Sequence, residues 1–385
     1  MIFRISFLLF FLLIVPAAFI YAKKVRKKSR LCKALFLLPN IVLLALTFYY
    51  MFNDGRIDKN ADSIGIYLLA TLLVSIPELI YSIMLGISLL FKSKKARNIL
   101  TKTGLGLAFI PAVIIIVGYI SCFTVVNVES HDFTSPDLPE AFNGYKIVQV
   151  SDLHLGTYHL HPGTVDRIVK KINEQQGDVI FFTGDLVNFS PDEIKQFHSK
   201  LKQLHAPDGV FSVLGNHDYL QYIHYKEPSQ RLNGMEELKS LQREAGWDLL
   251  LNESRVIRRG TDSIYIIGSE NDGTPPFPAE GDLQKALKNV PDSSFKILLS
   301  HDPTQWKRKV LPKTNIQLTL SGHTHAGQFK VFGHSPSSLV YDEWNGMYNH
   351  GPRSLFISSG IGEALIPFRF GAWPKIDIIT LHSAQ

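Results

Sequence analysis

Cysteine is nearly missing from this chain of 385 residues: Cys32 and Cys122 are its two, and both lie in apolar stretches. That excludes a disulfide framework and a thiolate zinc site. Acidic residues are scarce at one end. Residues 1–127 hold 4 Asp+Glu against 15 Lys+Arg, a net of +11, whereas residues 128–385 hold 30 against 25, a net of −5. The sequence pI near 9.0 therefore belongs to the first part. Its basic residues flank apolar runs, so they are not a nucleic-acid footprint, and no nucleic-acid partner is expected. Internal repeats and low-complexity tracts are also missing. The composition splits the chain into a membrane region and a globular one.

Four apolar runs, Ile2–Ala22, Leu31–Phe52, Ile64–Phe91 and Thr103–Asn127, approach or exceed the ~20 residues that cross a bilayer core. The front of the first carries only Arg4 and its back a basic run, the flank pattern of a retained helix rather than a signal peptide. Residues 23–33 hold seven Lys+Arg and residues 92–102 hold five, while residues 53–63 hold two against three acidic ones. The positive-inside rule puts the two basic loops in the cytoplasm. A multi-pass protein of the cytoplasmic membrane follows, with the acidic domain outside and the lipid bilayer as its first partner. Glu78 beside Pro77 is an ionisable group at membrane depth, facing either the bundle interior or a functional path.

Residues 128–143 are polar, with Pro136 and Pro139, and read as a linker to a domain over 144–383. There, apolar runs alternate with amphipathic stretches. Helices are expected at Thr164–Glu174, Asp192–Leu204, Met235–Glu244 and Asp282–Leu287, a strand meander over 247–268, and late strands at Ser354–Ile357 and Lys375–Leu381. The expected class is α/β, two packed sheets with helices outside, preceded by an all-α region of four transmembrane helices. Residues 219–233 and 332–350 read as long loops over a site.

Five apolar runs end in residues that do not favour strands. The run Tyr145–Val150 leads to Asp152 and His154. Asp178–Phe182 leads to Gly184-Asp185, and Gly209–Leu214 to Gly215-Asn216-His217-Asp218. Phe295–Leu299 leads to His301, and Ile316–Leu320 to Gly322-His323-Thr324-His325. One Asp after a strand is a turn or a cap. Five such ends in one domain point to a site at the mouth of a sheet. Asp152, His154, Asp185, Asn216, His301, His323 and His325 are too many ligands for one ion and suit two sharing a carboxylate. Carboxylate, amide and imidazole without thiolate favour divalent Mn, Fe or Zn. Two such ions about 3.5–4 Å apart clamp a phosphoryl group and acidify bound water.

The five blocks, in this order and spacing, resemble those of the calcineurin-like metallophosphoesterases over roughly residues 144–383. Gly322-His323-Thr324-His325-Ala326-Gly327-Gln328, Gly360-Ile361-Gly362 and Pro367-Phe368-Arg369 are similar to the membrane-attached branch, whose relatives include UDP-2,3-diacylglucosamine pyrophosphatases. The resemblance implies a four-layer fold. It implies Asp152, His154 and His325 on one ion, Asp185 bridging, and Asn216, His301 and His323 on the other. It further implies that His217 stabilises the transition state or protonates the leaving oxygen, with Asp218 holding its ring. Two departures are Ala326, where the branch often has glycine, and His217, where dedicated cytoplasmic UDP-diacylglucosamine hydrolases usually carry Arg. Asn188, His159, His161, Arg353 and Arg369 are further residues that could meet phosphate or sugar. The expectation is a membrane-integrated two-metal hydrolase of a phosphorylated small-molecule or lipid-linked substrate. The alternatives are a UDP-2,3-diacylglucosamine diphosphatase-type hydrolase and a non-catalytic metal-binding scaffold or sensor.

Overall fold

A computed structural model describes residues 2–52 and 61–384. The chain divides into two compact units, residues 1–120 with 365–368, and residues 121–364 with 369–385. The loop residues Arg56, Lys59, Asp54 and Asp58, on which part of the charge argument rests, lie outside the described residues.

The first unit is helical: α1 (Ile2–Ile20), α2 (Arg30–Phe52), α3 (Ala61–Leu89) and most of α4 (Lys94–Thr124). All four are long and apolar enough to cross a membrane. Each carries one internal proline, Pro16, Pro39, Pro77 and Pro111. Such prolines are tolerated in membrane helices because neighbouring groups satisfy the freed carbonyls. Leu8, Phe11, Leu35, Ile83 and Phe109 point outward, whereas polar side chains join the helices inside. Asn40 Nδ2 donates to Glu78 Oε1 at 2.9 Å, and Thr47 Oγ1 lies 2.7 Å from the Tyr67 hydroxyl. Glu78 thus has a partner on α2, the bundle-interior arrangement. Apolar outside with polar inside is the order that suits lipid as solvent.

In the second unit the described residues form strands numbered in chain order, among them β1 (Asn127–Ser135), β5 (Asp248–Leu249), β6 (Glu253–Arg259), β7 (Asp262–Gly268), β10 (Gly346–His350) and β12 (Lys375–Ser383); with β2, β3, β4, β8, β9 and β11, whose ranges follow, they make two six-stranded sheets ordered β1-β12-β2-β3-β4-β5 and β10-β11-β9-β8-β7-β6. In the first sheet, β2 (Lys146–Val150), β3 (Val179–Phe182) and β4 (Val210–Ser212) run parallel, as do β8 (Phe295–Leu299), β9 (Leu318–Ser321) and β11 (Arg353–Ile357) in the second. Buried parallel strands need apolar residues on both faces, which is why Val179-Ile180-Phe181-Phe182 has no polar member. Ile147, Phe181 and Phe211 of one sheet share a core with Ile266, Ile297, Leu320 and Phe356 of the other. On the outer face of the second sheet, Leu298, Leu355 and Ile357 pack with Trp306, Val310 and Leu283. Helices flank both sheets. The longest are α5 (Gly163–Asn173), which buries Val165, Ile168, Val169 and Ile172, and α8 (Pro228–Glu244).

Several expectations differ from the structure, among them the loop expected over 332–350, which ends in the strand Gly346–His350. The stretch 128–143, read as a linker, instead contains β1 (Asn127–Ser135), paired in parallel with β12 (Lys375–Ser383). Glu129, His131 and Phe133 lie on one face that runs from exposed to buried and meets Asp377 and Lys375 of β12, so no regular apolar alternation marks the strand. The helix expected over Asp192–Leu204 is two short turns, Asp192–Lys195 and His198–Leu201. The loop expected over 219–233 gives way to α8 at Pro228, where Glu227 and Gln230 form a capping box.

Candidate metal centre

All seven candidate ligands converge at the carboxyl ends of β2, β3, β4, β8 and β9, the usual crevice of parallel sheets. Five of them, Asp152, His154, Asp185, His323 and His325, have positive φ, between 45° and 73°. Non-glycine residues rarely adopt that backbone, and clusters of it mark functional sites. The strain is held by backbone hydrogen bonds, Asp152 N to Gly184 O at 2.9 Å and Gly362 N to Asp152 O at 2.7 Å. Glycine is required where the turns after the strands approach one another. A Cβ on Gly322 would stand 2.3 Å from Asp152 Oδ2, and one on Gly215 would stand 2.2 Å from Asp185 Oδ1.

The ligands sort into two buried groups that share Asp185: Asp152, His154, Asp185 and His325, then Asp185, His301 and His323. His154 Nε2 lies 3.1 Å from His325 Nε2, and His325 Nε2 lies 3.2 Å from Asp152 Oδ1. Asp185 Oδ2 is 3.1 Å from His301 Nε2 and 3.6 Å from His154 Nε2. Asn216 Oδ1 joins the second group at 3.1 Å from His301 Nε2 and 2.7 Å from His323 Nδ1. Two buried imidazole nitrogens 3.1 Å apart beside two carboxylates fit a shared cation, and neutral nitrogen with anionic oxygen is the donor set of a divalent metal.

The electrostatics agree with that fit. Burial pushes His154 down to about 3 and His323 down to about 4, so both rings stay neutral and ligand-competent. For His301, burial lowers the pKa but the Asp185 charge outweighs it and holds the ring up at about 10. A cation taking the place of that proton satisfies the same carboxylate.

Outer contacts orient the ligands. His301 Nδ1 donates to the Thr183 carbonyl at 2.8 Å, which turns Nε2 inward. Asn216 Nδ2 donates to the Tyr222 hydroxyl at 2.7 Å, which fixes the amide with its oxygen toward the site. His323 Nε2 lies 3.0 Å from the Tyr341 hydroxyl. Tyr222 and Tyr341 escape sequence reasoning because they sit in loops without periodicity. Glu193 escapes it too: its buried carboxylate accepts the amides of Gly156, Asn188, Phe189 and Ser190.

Several expected roles need correction. Asp218 does not hold the His217 ring. Its carboxylate accepts the amides of Asp185, Gly215, Leu186 and Val187, and so shapes the ligand loops. His217 Nδ1 instead donates to the Asn188 carbonyl at 2.8 Å. Arg369 is fully buried and has no route to substrate. Arg353 donates to the carbonyls of Leu311 and Thr314, away from the ligands. Asn188 Nδ2 bonds His154 O and Thr157 Oγ1 at 3.3 Å each. His159 is exposed, and the His161 ring stacks 4.0 Å from Phe123. A third group, Glu129, His131 and Asp377, already contains the Lys375 ammonium, 2.9 Å from Glu129 and 3.2 Å from Asp377, so a cation of the chain itself stands between its two carboxylates.

The sequence matches the calcineurin-like phosphoesterase family over residues 145–327 and the transmembrane domain of a probable calcineurin-like phosphoesterase over residues 1–122. The metallophosphoesterase YkuE of Bacillus subtilis is 32% identical over 273 residues, 68% of this chain and 87% of that protein. The chain belongs to the calcineurin-like phosphoesterases. A Helicobacter pylori metallophosphoesterase is 29% identical, across 61% of this phosphoesterase and 59% of that protein. A "Transmembrane protein with metallophosphoesterase domain" of Danio rerio is 26% identical, across 71% of this phosphoesterase and 62% of that protein. The phosphoesterase thus joins a membrane region to a metallophosphoesterase domain, and it spans about three fifths of the length of the latter two relatives.

Proposed function

We propose that this membrane phosphoesterase binds two divalent ions and hydrolyses a phosphate ester or anhydride of a lipid-linked or envelope substrate at the outer leaflet of the cytoplasmic membrane. The observation that carries the reading is Asp185, the one residue common to both ligand groups. Asp152, His154 and His325 would hold one ion, and Asn216, His301 and His323 the other, with Asp185 between them. When bound, such a pair polarises the phosphoryl oxygens and supplies a water that ionises near pH 7.

The chain's own residues supply the rest. His217 directs its Nδ1 proton to the Asn188 carbonyl, so Nε2 is the nitrogen left for the leaving oxygen, and it would pass a proton there from the doubly protonated ring. Tyr222 lies with its ring 4.4 Å from that of His217 and walls its side of the site. An amphiphilic substrate is supported by the rim. Phe332, Leu339 and Val340 are 96%, 88% and 75% exposed on the loop that carries Tyr341 to His323. Exposed apolar side chains on a loop that reaches the site offer a surface for apolar groups. The outward placement is supported by the charge of residues 23–33 and 92–102.

The test uses the full-length protein in detergent, first with bis-p-nitrophenyl phosphate and Mn²⁺, then with a panel of lipid-linked phosphates. Metal-dependent hydrolysis, abolished by chelation and restored by the ion, is expected, with at least one lipid-linked substrate preferred over its water-soluble headgroup. No hydrolysis by the metal-loaded protein would favour the scaffold reading.

A further inference from the structure

A polar stripe runs along one face of α3. Ser63, Tyr67, Thr71, Ser75 and Glu78 follow one another at spacings of four, four, four and three, the repeat of a single helical face. Polar side chains of α2 meet it in turn. The Tyr50 hydroxyl donates to Ser63 Oγ at 3.0 Å, Thr47 Oγ1 lies 2.7 Å from the Tyr67 hydroxyl, and Asn40 Nδ2 donates to Glu78 Oε1 at 2.9 Å. Glu78 stands near the middle of the apolar span Ser63–Leu89. An ionisable group at that depth marks a functional site or an ion path.

The hydrogen bonds at this level do not close. Thr47, Thr71, Ser82 and Ser88 each spend their hydroxyl on a carbonyl three or four residues back, the usual habit in a helix. Ser75 is fully buried, and its Oγ meets no partner among the described residues. The same holds for Asn40 Oδ1 and Glu78 Oε2, both buried atoms. Asn40 has committed both amide protons, one to Glu78 and one to the Phe36 carbonyl at 3.2 Å, so its oxygen is what it has left. The three unused atoms are all oxygens, and the amide and carboxylate oxygens only accept. α3 contains no Lys or Arg to offset the carboxylate. Pro39 and Pro77 directly precede Asn40 and Glu78, and each removes the N–H that would engage the carbonyl four residues back, on Leu35 and Leu73. Membrane helices interrupted by proline beside polar residues are a pointer to a binding site.

We propose that Asn40, Ser75 and Glu78 form an intramembrane site for an alkali-metal cation, held by oxygen atoms alone and reached along the stripe from Ser63 to Ser75. A hard cation takes several oxygen ligands. One carboxylate balances one positive charge, whereas a divalent ion would leave charge uncompensated in an apolar medium. A proton on Glu78 would engage one further acceptor and leave the rest idle. The site belongs to the helical unit and does not rest on the two-metal reading.

The experiment measures binding of radioactive sodium to the full-length protein in detergent by equilibrium dialysis. Choline is the balancing salt, and Mn²⁺ is kept in excess so that sodium does not compete at the metal centre. Wild type, Glu78→Gln and Ser75→Ala are compared, with circular dichroism confirming intact helices. Wild type should bind one sodium ion per chain that Glu78→Gln does not bind. Ser75→Ala should weaken that ion roughly tenfold, the scale of one lost buried polar contact. Sodium bound with wild-type affinity by either folded variant would overturn the proposal. Infrared spectra of the same samples separate an ion from a proton. A carboxylic-acid carbonyl band present in wild type and lost in Glu78→Gln, with no difference in sodium binding, would show a protonated Glu78 tying two helices together, and would also overturn it. Should Glu78→Gln fail to fold, Ser75→Ala decides alone.

Discussion

His217 Nδ1 lies 2.8 Å from a carbonyl, which settles which of its nitrogens is free for proton transfer. His217→Ala should therefore keep both ions while losing on the order of 10²–10⁴ in rate, the worth of general acid catalysis. The loss should shrink for p-nitrophenolate, which leaves without a proton. Equal losses for good and poor leaving groups would assign His217 an electrostatic role only. Asp218 makes a different prediction, because it touches amides and not the imidazole. Asp218→Asn replaces an acceptor with an NH₂ group facing N–H donors, and should lower folding stability by about 2 kcal/mol, the cost of unsatisfied buried donors. Thermal melts check this, and an unchanged melt with lost activity would return Asp218 to the role of ring orienter. At this scale the sequence was legible in residue type and spacing. Asp, Asn and His at five strand ends are chemically conspicuous. Their partners were not legible, since a backbone carbonyl such as that of Asn188 has no sequence signature, and neither does a tyrosine in an aperiodic loop.

The turn after β9 shows what the backbone does for the ligands. His323, His325, Ala326, Gly327 and Gln328 all have positive φ, and Ser335 and Ser337 brace the turn through the carbonyls of Ala326 and Thr324. Ala326, at φ 47°, is buried. A left-handed alanine costs roughly 1–2 kcal/mol, while a glycine there adds about 0.5–1 kcal/mol of unfolded-state entropy. Ala326→Gly should thus stabilise the protein by up to about 1 kcal/mol with metal binding unchanged. A lower melting temperature would show that the methyl group's packing outweighs the strain. Elements with strong periodicity, α5 and the apolar strands, were legible from the pattern alone. The strand β1 was not, because its pairing with β12 depends on residues about 250 positions away. The start of α8 was hidden by the polar Pro228–Arg231 turn, where capping and not apolar spacing defines the helix.

At the scale of the molecule, four helices suited to lipid precede a domain whose ligand groups share one carboxylate. The loop charges predict that an alkaline phosphatase fused after Gln385 is active and that a reporter working only in the cytoplasm is dark. The reverse pattern would place the domain inside and make a cytoplasmic nucleotide-sugar lipid the leading substrate. The central claim, two ions bridged by Asp185, is tested most directly by metal stoichiometry and hydrolysis measured together on wild type and Asp185→Asn. The account predicts two ions for wild type, with weakened binding at both sites and a rate lower by several orders of magnitude for the variant. A variant that keeps two tightly bound ions and near-normal hydrolysis would contradict it.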